Sequence, residues 1–175
     1  MDKNVDLKDV LHVLRKDPYV TALQKLRRMG VLQKHSIQSE LGEWVAQKIF
    51  GGTRMGSTHP TYDLVGTDKK TYQIKTHNRL ETHLNRCSSV GHKHADIYVI
   101  FLLREDLSLD KALGGTLKEL QESNALRLDK HGQKLHWGMM PELTPEKARE
   151  LGALDIEPLK VWKNSVSKKS PSDSI

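Results

Sequence analysis

The sequence predicts an α/β domain: a central mixed β-sheet flanked by helices, with a helical N-terminal extension. Three observations carry this. Thr61–Val65 and Thr71–Thr76 alternate in side-chain character around a Gly66–Lys70 turn and read as paired, half-buried strands. Residues 95–103 form a nearly continuous apolar run, as expected of a central strand covered on both faces. Around them, Leu7, Val10, Leu11 and Leu14, and then Leu41, Val45, Ile49 and Phe50, recur at helical spacing.

The elements follow in order. A first helix ends near Asp17-Pro18, which supplies an N-cap and first-turn proline for a second, carrying Ala22, Leu23, Leu26 and Met29 and stopping at Gly30. Arg15, Lys16, Lys25, Arg27, Arg28 and Lys34 make residues 1–35 a basic extension, whose charges more often solvate a packing lid than contact DNA. The α/β core spans 36–162. Its helix 37–50 places Glu43 at the margin of the apolar arc and Glu40 further round, toward water. A Gly/Thr/Ser-rich loop with Arg54 and His59 leads to the hairpin. After Lys75, His77, Asn78 and Arg79 begin a polar loop. Leu109, Leu113, Leu117 and Leu120 suggest a helix shortened at Gly114-Gly115. Residues 126–128 and 134–137 suggest a second hairpin, and Thr144-Pro145 opens a short helix stopping near Gly152. From 163 to 175 the composition is that of a disordered, weakly basic tail.

Composition narrows the function. The chain has 175 residues, enough for one proper core, and a formal net charge of +6, which favours an anionic partner. A single cysteine, Cys87, excludes an internal disulfide framework and fits a reducing cytosol. With no membrane-length apolar run and no signal-peptide core, the expectation is a soluble, cytoplasmic protein. His83, Cys87, His92 and His94 are zinc-ligand types, but their spacings match no familiar finger.

The hairpin concentrates the chemistry. With Val65 facing Thr71, Asp63 stands opposite Gln73, and the period of two puts Asp63, Gln73 and Lys75 on one face, with Tyr62, Leu64, Tyr72 and Ile74 on the other. A carboxylate, an amide oxygen and an ammonium gathered on one face suit a hard cation and a water. The order Tyr62-Asp63-Leu64, then Gln73-Ile74-Lys75-Thr76, resembles the PD-(D/E)xK nuclease superfamily in its Gln-x-Lys variant, with Tyr62 where the family often has proline. The 39–52 helix and the 95–103 strand extend the resemblance over residues 39–103.

That resemblance implies a restriction-endonuclease-like core and metal-dependent hydrolysis of phosphodiester bonds in DNA. It implies Glu43, Asp63, Gln73 and Lys75 as catalytic residues. Glu43 rather than Glu40 joins Asp63 and Gln73 around Mg²⁺, with Mn²⁺ as substitute, and Lys75 positions water or stabilises developing charge. Arg54, His77, Asn78 and Arg79 would border the phosphate backbone. DNA is the expected partner, with a homodimer for double-strand cleavage. The alternatives are a non-catalytic nucleic-acid-binding protein of the same fold and a structural protein whose charge is incidental.

Overall fold

In the computed structural model, the residues described are 6–16, 19–31, 37–56, 61–78, 87–91, 94–104, 106–129 and 132–165. Asp17-Pro18, His59, Arg79, His83, His92 and the tail beyond Ser165 lie outside them. Helices α1 (Leu7–Lys16), α2 (Tyr19–Arg28) and α3 (Ile37–Phe50) precede β1 (Thr53–Arg54), β2 (Leu64–Val65) and β3 (Thr71–Asn78). Then come β4 (Cys87–Gly91), β5 (Ile97–Leu103), β6 (Leu109–Thr116), α4 (Leu117–Glu122), β7 (Leu126–Asp129) and β8 (Gly132–His136). A 3₁₀ turn at Trp137–Met139, α5 (Pro145–Glu150) and α6 (Glu157–Lys163) complete the chain.

The main sheet is mixed, five-stranded and ordered β1-β2-β3-β5-β6. β1, β2 and β3 are antiparallel neighbours, β3 runs parallel to β5, and β6 returns antiparallel. The β2–β3 register, Val65 opposite Thr71 and Leu64 opposite Tyr72, is the one the alternation predicts. A smaller sheet ordered β4-β8-β7 contains the second hairpin, with a shorter turn than expected.

Each face of the main sheet has its own core. Tyr72, Ile74, Ile97, Val99 and Phe101 pack under α3 and α6, together with Leu7, Val10, Leu11, Leu26 and Val31 of the N-terminal segment. The N-terminal helices therefore share the central core. On the opposite face Tyr98, Ile100 and Leu113 pack with Val90, Leu126, Leu135 and Trp137 of the small-sheet region. β5 is buried from both sides, which explains its unbroken apolar sequence.

Three expectations are corrected. Residues 109–116 form a strand, because Gly114 and Gly115 let the backbone approach Leu143, Leu151 and Leu120, where a Cβ would meet atoms 3.0–3.3 Å away. The helix begins only at Leu117, with Thr116 as N-cap in a capping box with Glu119. The 51–60 stretch contains a short strand, β1, hydrogen-bonded to β2. The 77–79 segment begins as strand, since β3 runs on to Asn78 alongside Leu103.

Helix α6 went unpredicted. Pro158 in its first turn and the buried pair Leu159 and Trp162 specify it, with Trp162 Nε1 donating to Leu107 O at 2.8 Å. Among the described residues, no helix is long and apolar enough to cross a membrane.

Candidate active site

The hairpin turn is built by Gly66 and Lys70, whose backbones are joined at 2.9 Å, with Lys69 in the left-handed region at φ 65°. Beyond Val65 and Leu64, the Asp63 backbone still bonds to both sides, its N–H donating to Tyr72 O and its carbonyl accepting from Met55 N–H, each at 2.9 Å. The next N–H of β3, that of Ile74, is accepted by the Asp63 side chain: Oδ2 lies 2.8 Å away. The carboxylate replaces a backbone acceptor at the end of the β2–β3 ladder. The same Oδ2 also accepts from Gln73 Nε2. Asp63 and Gln73 are both buried, Gln73 completely.

Turning its amide nitrogen toward Asp63 leaves Gln73 Oε1 buried with no hydrogen-bond partner among the described residues. A buried carbonyl oxygen in that state is costly and suits a cation, a donor or a water. Lys75 and His77 follow Gln73 at alternate positions of β3 and share its face. Both are half-buried, and the His77 ring lies 4.6 Å from that of Trp137. Trp137 was not anticipated as a neighbour, because it sits 60 residues further on in sequence and meets β3 only through the small sheet. The side chain of Asn78 lies outside the described residues, as does Arg79.

The glutamates are placed differently. Helix α3 lies over the Tyr72–Ile74–Thr76 face: Phe50 packs on Tyr72 at 4.6 Å between ring centroids, and a Cβ on Gly42 would fall 1.9 Å from Thr76 Oγ1. Gln73 and Lys75 alternate to the other face. Glu43 and Glu40 are both buried, at 6% and 0% exposure, so the expectation that Glu40 lies toward water is corrected. The N-terminal helices join the core around α3, a covering that a single helical wheel cannot reveal.

Arg54 accompanies the two glutamates. Expected at the protein surface beside phosphate, it is instead 7% exposed and donates from Nη1 to Val31 O at 2.9 Å and from Nη2 to Gly30 O at 2.6 Å. Its guanidinium holds the end of α2 against β1. Burial pushes its pKa down, and the charges of Glu40 and Glu43 partly oppose that. The structure thus brings Asp63 and Gln73 together, aligns Lys75 and His77 with them, and sets Glu43 in the electrostatic field of Arg54. Among the described residues, no three His, Cys, Asp or Glu side chains gather as a metal-holding group.

Asp96, immediately before β5, caps the sheet. Its Oδ2 accepts from the N–H and Oγ1 of Thr71, both at 2.8 Å, and Thr71 Oγ1 accepts from Asp96 N–H at 3.0 Å. The Thr71 N–H chiefly holds its carboxyl below the ordinary range. Of the zinc-type residues, Cys87 lies in β4 opposite His136, and His94 is exposed before β5.

No protein-family model matches this chain, and no curated protein matches it.

Proposed function

We propose that the protein is a metal-dependent endonuclease that hydrolyses phosphodiester bonds in DNA, with a restriction-endonuclease-like core. The observation that carries this reading is the buried Asp63–Gln73 pair, whose amide oxygen has no hydrogen-bond partner among the described residues and is followed on the same strand face by Lys75. The succession of α3, an antiparallel β1–β2–β3 unit and a parallel β5 supports it further, because it sets the Asp and Gln-x-Lys strands side by side.

A carboxylate beside an amide oxygen is a hard-oxygen pair. It fits Mg²⁺, which commonly takes one or two carboxylates, retains waters and accepts substrate phosphate oxygens; Mn²⁺ would substitute. When bound, the cation would polarise the scissile phosphate and lower the pKa of a water. Asp63 supplies the anionic oxygen and Gln73 the neutral one; Glu43, on the helix over the opposite sheet face and beside Arg54, is not part of this pair. Lys75 orients the attacking water and stabilises negative charge developing on the phosphoryl oxygens. His77, braced by Trp137, and Asn78 border the strand that would carry the DNA.

The test is nicking of supercoiled plasmid in Mg²⁺, Mn²⁺ or EDTA. Cleavage that requires the divalent ion and vanishes in Asp63→Ala is expected. Metal-independent nicking, or full activity in that variant, would overturn the mechanism. Salt-sensitive DNA binding without cleavage would instead identify a non-catalytic binding protein.

A further inference from the structure

The backbone contacts of Asp63 lead back to Arg54. β1 and β2 are two residues each, and β1 is the outermost strand of the main sheet, so their pairing alone is a weak hold. Arg54 stands opposite Leu64, and the next residue, Met55, donates its N–H to Asp63 O at 2.9 Å. The Asp63 backbone is thereby fixed to the β1 side by Met55 and to β3 by Tyr72 O. From that position its Oδ2 meets the Ile74 N–H and the Gln73 amide.

Arg54 supplies the hold that two ladder residues lack. Its guanidinium is buried and spans two carbonyls at the end of α2, Gly30 O at 2.6 Å and Val31 O at 2.9 Å. Carbonyl groups at the C-terminus of a helix carry partial negative charge and attract a cation. The planar fork of arginine meets two such oxygens in a fixed geometry, whereas a lysine ammonium is a point charge on a flexible stem. The Gly30 and Val31 N–H groups turn back to Arg27 O and Leu26 O, so the end of α2 is itself closed. A continuous path of bonds therefore runs from the end of α2 through Arg54, Met55 and Asp63 to Gln73.

We infer that Arg54 is a positioning residue for the Asp63–Gln73 pair: from inside the protein it holds β1, and through Met55 it holds the Asp63 carboxylate. This deepens the nuclease reading, and rests on it only for the cation that the pair receives. Residues that orient a metal ligand from behind typically cost about 10–100-fold in metal affinity when they are lost.

Amide hydrogen exchange of the intact, metal-free protein, read by NMR at Ile74 and Leu113, tests the path. The Ile74 N–H is the one Asp63 accepts, and Leu113 lies in β6, two strands away from β3. Arg54→Lys keeps the charge that faces Glu40 and Glu43 but loses the fork, and should speed exchange at Ile74 about tenfold relative to Leu113. Met55→Pro removes the N–H bonded to Asp63 while leaving Arg54 in place, and should do the same. The double variant should be no worse than either single one, because both break one path. Glu119→Gln, which weakens the α4–α5 tie, should not separate the two amides. In a Mg²⁺ titration both path variants should bind about tenfold more weakly or worse. Binding to a DNA duplex in EDTA should stay at the wild-type level, since Arg54 is buried. Exchange at Ile74 that follows Leu113 in both path variants would overturn the inference. An unaltered Mg²⁺ constant in variants that do loosen Ile74 would reduce Arg54 to a structural tie, and lost DNA affinity in EDTA would place it on the DNA instead. Selective exchange in a protein that binds no Mg²⁺ keeps the path and rejects the cation site. Asp63-dependent Mg²⁺ binding without selective exchange does the reverse.

Discussion

Lys75 and Asp63 should fail in different ways when removed. On the nuclease reading Lys75 would be one cation among many facing the polyanion, so Lys75→Ala should leave DNA affinity nearly intact. Its loss should be felt when charge develops on the reacting phosphate, an interaction typically worth about 3–4 kcal/mol, or a few hundred-fold in rate. Asp63→Ala should remove metal binding and cleavage together. Single-turnover cleavage and metal titration on the same DNA separate the two, and wild-type cutting by Lys75→Ala at saturating metal would reject its role. Gln73→Glu is a sharper probe. It replaces an amide that donates to Asp63 with a second buried carboxylate, so the metal-free protein should melt lower, and Mg²⁺ should raise its Tm more than it raises that of wild type. A variant as stable as wild type and indifferent to Mg²⁺ would show that the pair is no cation site. The Asp63–Gln73 contact was legible because strand alternation is local, and its register needs only the turn. The burial of Arg54 was not, because its partners Gly30 and Val31 precede it by more than twenty residues and nothing near Arg54 announces them.

At the scale of elements, the packing of α3 on β3 depends on one glycine. Gly42 lies where a methyl group would collide with Thr76 Oγ1, so helix and strand approach more closely than any side chain there allows. Gly42→Ala should destabilise the fold by about 1–3 kcal/mol through overpacking, despite alanine's better helix propensity. In a Thr76→Ala background the penalty should shrink, since the nearest atom is gone, and a double-mutant cycle by urea unfolding measures that coupling. Additive losses would mean that the close approach is not what limits the site. The same dependence on tertiary contact explains where the element readings diverged from the fold. Leu109, Leu113, Leu117 and Leu120 fit a helical period, yet the first two belong to a strand and the last two to a helix. The boundary is marked by the Thr116–Glu119 capping box, while the preceding glycines suit a strand packed tightly between leucines. By contrast 97–103, buried from both sides, needs no partner information to be read as a central strand.

Across the whole molecule, a carboxylate cap and an ion pair join segments distant in sequence, and their titration contributes to the pH dependence of stability. Asp96 links the start of β5 to Thr71 at the start of β3, and Glu119 of α4 binds Lys147 of α5 at 2.6 Å. The Thr71 N–H holds Asp96 below the ordinary carboxylate range, and the Lys147 ammonium does the same for Glu119. Lys147 is raised in turn, chiefly by Glu119. A carboxyl whose folded pKa is depressed contributes stability that is fully present above its unfolded value, near 3.9–4.3, and lost as pH falls through the folded one. A raised lysine contributes below its unfolded value, near 10.4, and loses that contribution as pH climbs through the folded one. Stability from these groups should therefore be level through neutrality, decline below about pH 4 and decline again above about pH 10. Both carboxylates are solvent-accessible, so each step should be modest and shallower in high salt. Asp96→Asn should reduce the acid step while leaving the alkaline one. Glu119→Gln should reduce both, because it removes the partner that raises Lys147. Thermal unfolding of wild type and the two variants across this range provides the measurement. An undiminished alkaline step in Glu119→Gln would show that the α4–α5 tie contributes nothing to the fold, and an unaltered acid step in Asp96→Asn would say the same of the β3–β5 cap.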